Sequence, residues 1–157
     1  MKVEIINPFA AAAFTVIEKS GNTQVTRGTL SLGSSPVNGD MVNVVIGVTG
    51  DVSGQVIYCM SNETALSISS LMLAGFPVMD FDEMAKSAIS ELGNIITGNA
   101  TLGLSKNGYA CHITPPSLIV GEGVQISIKD LQIIIIPLLT PLGKITIYVA
   151  LKETPPA

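Results

Sequence analysis

The sequence predicts an α+β fold, a two-layer domain in which an antiparallel sheet carries long helices packed on one face. Three observations point to it. Helix-like and strand-like segments come in alternating groups, the links between strands have hairpin length, and the second half repeats the first half's order of helix, then strands. A residue echo accompanies that internal pseudo-repeat: "GQVIYCM" from Gly54 resembles "GKITIYV" from Gly143, each following a tight turn. The 157 residues suit one domain, 1–157, with a core large enough to need neither disulfide nor metal.

Element by element, Asn7 and Pro8 have the form of an N-cap and first helical residue, and "FAAAAFTVIEKSG" ends in a glycine, so a first helix is predicted from Pro8 to Ser20. "VTRGTLSL", "MVNVVIGV" and "QVIYCM" have strand composition and are separated by the turn-formers of "GSSPVNGD" and "TGDVSG"; they predict an antiparallel meander. "SNETALSISSLMLAG" opens on a Ser61 or Asn62 cap and closes at Gly75, a second helix ending before Pro77. A third helix starts near Asp80, where Asp80 and Glu83 have the spacing of a capping box. Within it Met84, Ala85, Ala88, Ile89, Leu92, Ile95 and Ile96 recur at three- and four-residue intervals and predict the buried stripe. After Ala100 the chain turns through "SKNGYACHITPPSLIVGEG" into two more strands, "LQIIIIPL" and "KITIYVAL".

The composition removes several function classes. The chain is 47% apolar and 13% charged, with a mean hydropathy of +0.53. Its longest apolar run, "IIIIPLL", is far short of the roughly 20 residues of a spanning helix and contains Pro137. The N-terminal "MKVEIINPFAAAAF" carries Glu4 and Pro8 where a signal peptide has a clean apolar block. A cytoplasmic protein with no membrane partner is expected, its surplus apolar surface hidden in a sheet covered on both sides or in a homodimer face. Net charge −4 with no basic run gives no footprint for nucleic acid. Cys59 and Cys111 lack CxxC partners and read as free buried thiols.

The third helix also carries a polar stripe. At about 100° per residue, Glu83, Ser87, Glu91, Asn94 and Gly98 fall opposite the apolar stripe and face solvent. Glu91 and Asn94, three apart, are neighbours there, and Gly93 and Gly98 keep the surroundings low enough for another protein to approach. A glycine inside a helix costs about 1 kcal/mol against alanine, so Gly93 has a reason in approach or packing. A Glu and an Asn at this spacing on an exposed face are common, and the spacing by itself assigns no function.

The block "SAISELGNIITGNA", followed by "ITPPSLIVGEGVQI" and "IIPLLTPLGKITIYVAL", closely resembles the CheX branch of the CheC, CheX and FliY phosphatases of bacterial chemotaxis. "INPFAAAAFTVIEKSG" also resembles that family's first helix, so the resemblance covers nearly the whole chain. Its most specific part is Ser-x-x-x-Glu-x-x-Asn-x-x-x-Gly, met by Ser87, Glu91, Asn94 and Gly98. The resemblance implies a CheC-like fold and a phosphatase that hydrolyses the aspartyl-phosphate of a CheY-like response regulator receiver domain. It implies that Glu91 pairs with the receiver's active-site lysine and that the Asn94 amide holds a water in line with the phosphoryl group. Ser87 and Gly98 become partner-binding positions, any Mg²⁺ belongs to the partner, and the chain has no cofactor of its own. Some family members carry two such motifs. With Asn7 aligned on Ser87, Ala11 and Phe14 take the positions of Glu91 and Asn94, so the first helix lacks the chemistry and one site per subunit of a homodimer is expected.

Other residues suggest less. His112 beside Cys111 lacks further ligands, and neighbours on a strand point to opposite faces, so a structural or surface histidine is expected. "GEGVQ" from Gly121 has no Walker lysine and reads as a turn. Met72, Met79 and Met84 read as core filler at the helix junction. The competing functional readings are a non-catalytic binder of phosphorylated receivers using the same helix and a structural dimerisation domain. The intact Glu91 and Asn94 favour catalysis over the binder, and the breadth of the resemblance weighs against the dimerisation domain.

Overall fold

A computed structural model describes residues 1–21 and 23–155. The elements are α1 (Val3–Gly21), β1 (Thr26–Arg27), β2 (Ser31–Gly33), β3 (Val37–Asn38), β4 (Val42–Gly50), β5 (Val52–Met60), α2 (Asn62–Met72), α3 (Glu83–Lys106), β6 (Cys111–Ile113), β7 (Ser117–Val120), β8 (Gln125–Ile126), β9 (Ile133–Thr140) and β10 (Gly143–Glu153). The main sheet has the order β1-β9-β10-β5-β4-β6, with β2 also on β9 and β7 also on β4, and every pairing is antiparallel.

The pseudo-repeat is visible at the centre of this sheet. The echoed segments are its two middle strands, paired so that Tyr58 faces Ile147 and Tyr148 faces Ile57. Each half supplies one hairpin, β4–β5 or β9–β10, and the short strands that follow each half's helix complete the other half's hairpin: β1 and β2 lie on β9, β6 and β7 on β4. The predicted meander is therefore half right. "MVNVVIGV" and "QVIYCM" form a hairpin, but "VTRGTLSL" crosses to the far side of the sheet. It is split there by Pro137, which has no N–H to give an edge partner. Gly28 N–H still donates to the Pro137 carbonyl at 2.8 Å, and a Cβ on Gly28 would meet the proline ring at 2.8 Å. β6 and β7, inside the stretch predicted as a turn, are strands that sequence alone did not separate from loop.

Both faces of the sheet are covered. On one, alternate residues such as Val44, Ile46, Val56, Tyr58, Ile136 and Ile147 pack beneath α1, α2 and α3. On the other, Ile57, Cys59, Ile133 and Ala150 lie with Val37 and Ile128 beneath the small β3–β8 ladder. This is where the apolar surplus goes, and it is why Val56 to Met60 are buried without alternation. Among the described residues no helix is long and apolar enough to cross a membrane.

Three helix boundaries differ from the sequence reading. α1 begins at Val3 and contains Pro8 rather than starting there. The missing proline N–H would have bonded the Glu4 carbonyl, and the Asn107 side-chain amide donates to that oxygen instead, at 3.0 Å. α2, by contrast, is capped as expected by Ser61, whose side chain accepts from Thr64 N–H. α3 is capped by Asp82, not by an Asp80 capping box: the Asp82 carboxylate accepts from Ala85 N–H at 2.9 Å. It then runs six residues past Ala100, to Lys106, because Leu104 continues the buried stripe.

Across the interface of α3 with the sheet runs one buried polar chain. The Thr97 hydroxyl donates to the Gly93 carbonyl at 2.7 Å and accepts from the Tyr58 hydroxyl at 2.7 Å. Tyr58 is 1% exposed, and burial pushes its phenol far above the ordinary range, so it stays a neutral donor. Replacing Tyr58 by Phe leaves Thr97 bonded to Gly93. Chemical denaturation of Tyr58→Phe is expected to show a loss of about 1 kcal/mol, the net worth of one hydrogen bond.

Candidate functional site

The site is built on the solvent side of α3. Its buried side is Ala85, Ala88, Ile89, Leu92, Gly93, Ile96, Thr97, Ala100 and Leu104. These positions fix the helix's rotation, so that Ser87 and Glu91 are exposed and Asn94 and Gly98 half-buried on the outer face. Side chains three and four apart on a helix lie about 5–6 Å apart at Cβ, which makes Ser87, Glu91, Asn94 and Gly98 one continuous row. The sequence-predicted residues are thus brought together.

None of the three side chains in that row is used internally. The side-chain hydrogen bonds of α3 fall elsewhere: Asp82 to Ala85, Lys86 to Glu83, Thr97 to Gly93, Thr101 to Gly98. Among the described residues no side-chain bond engages Ser87, Glu91 or Asn94. The carboxylate and the amide are held by the helix backbone and left with their hydrogen-bonding capacity free.

The two glycines have different jobs. A Cβ on Gly93 would lie 2.9 Å from Val44 Cγ1 and 3.5 Å from Tyr58 Cδ2, so Gly93 lets α3 sit flush on the sheet. It does not lower the outer surface. A Cβ on Gly98 would meet nothing within 4 Å, and Gly98 does leave the outer face low beside Asn94.

Two members of the expected apolar stripe are displaced from the core. Met84 is 64% exposed and Ile95 37%. With Leu102 they form an apolar border on the outer face of α3, along one flank of the row that holds Glu91 and Asn94. Met79 is exposed as well, so of the three methionines read as core filler only Met72 packs against the core. The sequence signal was ambiguous because 84 and 95 sit at the edge of the stripe, where a few degrees of helix rotation decide burial.

The remaining candidates stay outside the site. Cys59 is buried beneath β3–β8, which pushes its thiol up to about 12 and leaves no thiolate at neutral pH. Cys111 is half-buried rather than buried, and both thiols are free. His112 is exposed on β6 opposite Thr49. "GEGVQ" is a turn leading into β8. Among the described residues no group of three or more His, Cys, Asp or Glu is placed to hold a metal.

The geometry separates the two glycines and the polar row by experiment. Gly93→Ala is expected to lower the thermal midpoint by several degrees, at about 2–4 °C per kcal/mol for a domain of this size, despite its better helix propensity. Gly98→Ala is expected to raise it by up to that amount, since it gains the propensity with no clash. Glu91→Ala and Asn94→Ala are expected to stay within about 0.5 kcal/mol of the parent by denaturation, having no internal partner to lose.

The chain is similar to known proteins in sequence and in fold. Residues 42–139 match the family described as "Chemotaxis phosphatase CheX". The CheY-P phosphatase CheX of Thermotoga maritima is 43% identical over 82 residues, 52% of this chain and 53% of that one, so the match spans about half the length of that curated relative. The CheX crystal structure from Desulfovibrio desulfuricans superimposes with TM-score 0.86 at 27% identity, covering 97% of this chain and 100% of that one. A CheX–CheY–BeF₃–Mg²⁺ complex from Borrelia burgdorferi gives TM-score 0.82 at 34% identity, again over 97% of this chain and 100% of that one. The chain belongs to the CheX family of chemotaxis phosphatases.

Proposed function

We propose that this protein hydrolyses the aspartyl-phosphate of a CheY-like receiver domain, acting in the cytoplasm with one site per subunit on the outer face of α3. The observation that carries the reading is the unpartnered row Ser87, Glu91, Asn94 and Gly98 on a rigid helix of a CheX-family chain. The related Borrelia burgdorferi protein was solved with CheY, BeF₃ and Mg²⁺, and beryllofluoride takes the shape of a phosphoryl group on a carboxylate.

In this reading α3 lies over the receiver's phosphorylated pocket. The Glu91 carboxylate pairs with a lysine there and sets the docking register. Asn94 then reaches the phosphoryl group: its amide N–H₂ donates to a phosphoryl oxygen while its carbonyl accepts a hydrogen from water, holding that water in line. Attack at phosphorus forms the new P–O bond as the bond to the aspartyl oxygen breaks; the aspartate leaves as carboxylate and the water's protons stay on the released phosphate. Phosphoryl transfer has little covalent work for the protein to do, so positioning is the contribution needed. An amide suits it, because a second carboxylate would repel the phosphoryl oxygens. Glu91 is the sole carboxylate beside Asn94 on that face, too few hard donors for Mg²⁺, so the ion belongs to the receiver. Ser87 and Gly98 bound the contact, one small and polar, the other flat.

Pairing of two copies through a sheet edge fits the exposed Ile119 and Val120 on β7, which has β4 on one side only. A homodimer is part of the proposal, checked by light scattering.

Decay of a phosphorylated receiver with Mg²⁺ tests the chemistry. This protein is expected to speed the decay, Asn94→Ala to lower kcat by about 10²-fold, and Glu91→Ala to raise KM by about tenfold or more. Binding without acceleration would leave a phospho-receiver binder in place of an enzyme.

A further inference from the structure

The connection between α2 and α3 exposes large apolar side chains that the fold makes no use of: Phe76 is 71% exposed and Met79 82%, next to Met84 at 64%. This is not a frayed segment. The Ser70 hydroxyl donates to the Phe76 carbonyl at 2.7 Å, Phe76 N–H donates to Leu73 at 3.3 Å, and Gly75 N–H donates to Ser70 at 2.8 Å. The backbone turns sharply through Ala74 (φ 60°) and Gly75 (φ 82°) to reach these bonds. Phe76 is therefore pinned by its main chain while its ring is held out in water. Exposed apolar surface grouped this way marks an interaction site.

Its position says what covers it. A groove lined by Leu73, Phe76, Val78, Met79 and Met84 adjoins a second one, sharing Leu73 and Met84, that continues past Ser87 to Glu91. Ten residues of helix separate Met84 from Asn94, about 15 Å at the usual rise. A standard interface buries about 800 Å² per partner, a disc of about 16 Å radius. A receiver centred on Asn94 thus reaches Met84, from which the shared groove continues through Leu73 to Phe76 and Met79. This wall carries Asp80, Asp82 and Glu83 at its border, so the matching surface is apolar with lysine or arginine around it.

We propose that Phe76, Met79 and Met84 form an apolar docking wall for the receiver domain beside its phosphorylated pocket, selecting which receiver is bound while taking no part in hydrolysis. The proposal rests on the phosphatase reading and adds the surface that gives it affinity and specificity.

The test uses the full chain carrying Phe76→Ser and Met79→Ser together, both in the exposed connection. The probes are the CheY-like receiver domains of the source organism, phosphorylated for kinetics and beryllofluoride-loaded for binding. The expected result is a KM and a Kd raised about tenfold or more, kcat within about twofold, and an unchanged thermal midpoint and oligomeric state. If the parent protein accelerates decay and the double variant matches it in KM and Kd, the wall is overturned and the phosphatase reading stands. If the variant instead turns a dimer into monomers with KM unchanged, the wall joins copies of this chain and the proposal fails. If the parent neither accelerates decay nor binds any of these receivers, both readings fall together.

Discussion

The contact on which the rest of the structure depends is the seat of α3 on β4 and β5. Gly93 has no side chain, so the helix backbone comes close enough to Val44 and Tyr58 for the Tyr58 hydroxyl to reach Thr97 one turn further on. A helix laid on a sheet by apolar packing alone can roll by a fraction of its 100° step at little cost, since aliphatic contacts are non-directional. A buried hydrogen bond is directional, and an unmade one leaves a desolvated polar group. The Tyr58–Thr97–Gly93 chain therefore sets the roll of α3, and through it the direction in which Glu91 and Asn94 project. The proposed positioning of a water needs such a fixed roll, because Glu91 and Asn94 have no internal partner to hold them.

The interlocked halves give the fold two such helix faces, and the Ser87, Glu91, Asn94 and Gly98 row occupies one. α1 and α3 lie side by side on the same face of the sheet, and Asn7, Ala11 and Phe14 are exposed on α1 much as Ser87, Glu91 and Asn94 are on α3. The equivalence is geometric. At the equivalent positions α1 presents a methyl and an aromatic ring, neither of which offers a carboxylate for an ion pair or an amide to hold a water by hydrogen bonds. Pro8 also constrains α1, packing its ring within 3.0 Å of where a Cβ on Gly103 would lie and needing Asn107 to satisfy the carbonyl it orphans. That half of the repeat serves packing, and the helix pair it forms makes α3 rigid along its length.

What could be read in the sequence follows how local each signal is. The motif on α3 was legible because four residues at helical spacing need only the helix period to be gathered on one face. The sheet's central pair was legible in the echo of "GQVIYCM" and "GKITIYV". The crossing of "VTRGTLSL" to β9 was not, because strand composition is the same whichever partner a strand takes, and that partner lies more than a hundred residues away. The start of α1 was misplaced for the same reason: Asn7 and Pro8 have the local form of a cap, and the compensation that lets the helix run through them comes from Asn107. At the stripe's margins, Met84 and Ile95 satisfied the apolar period while lying outside the core. Periodicity registers hydrophobicity and does not distinguish a side chain packed on its own sheet from one left facing solvent.

That last confusion has a physical root in what the proposed reaction asks for. An acyl phosphate is already reactive, and a helper that only orients water needs few polar atoms, here one amide and one carboxylate. The greater demand is to hold a whole receiver domain so that its phosphoryl group meets the amide in line. Affinity over such an area comes from apolar burial, with charge setting register and encounter. A helix suited to such work looks, residue by residue, like a core helix with a polar interruption, and α3 has that composition: apolar on the side facing Tyr58, and apolar again at Met84, Ile95 and Leu102 along one flank of a narrow polar row.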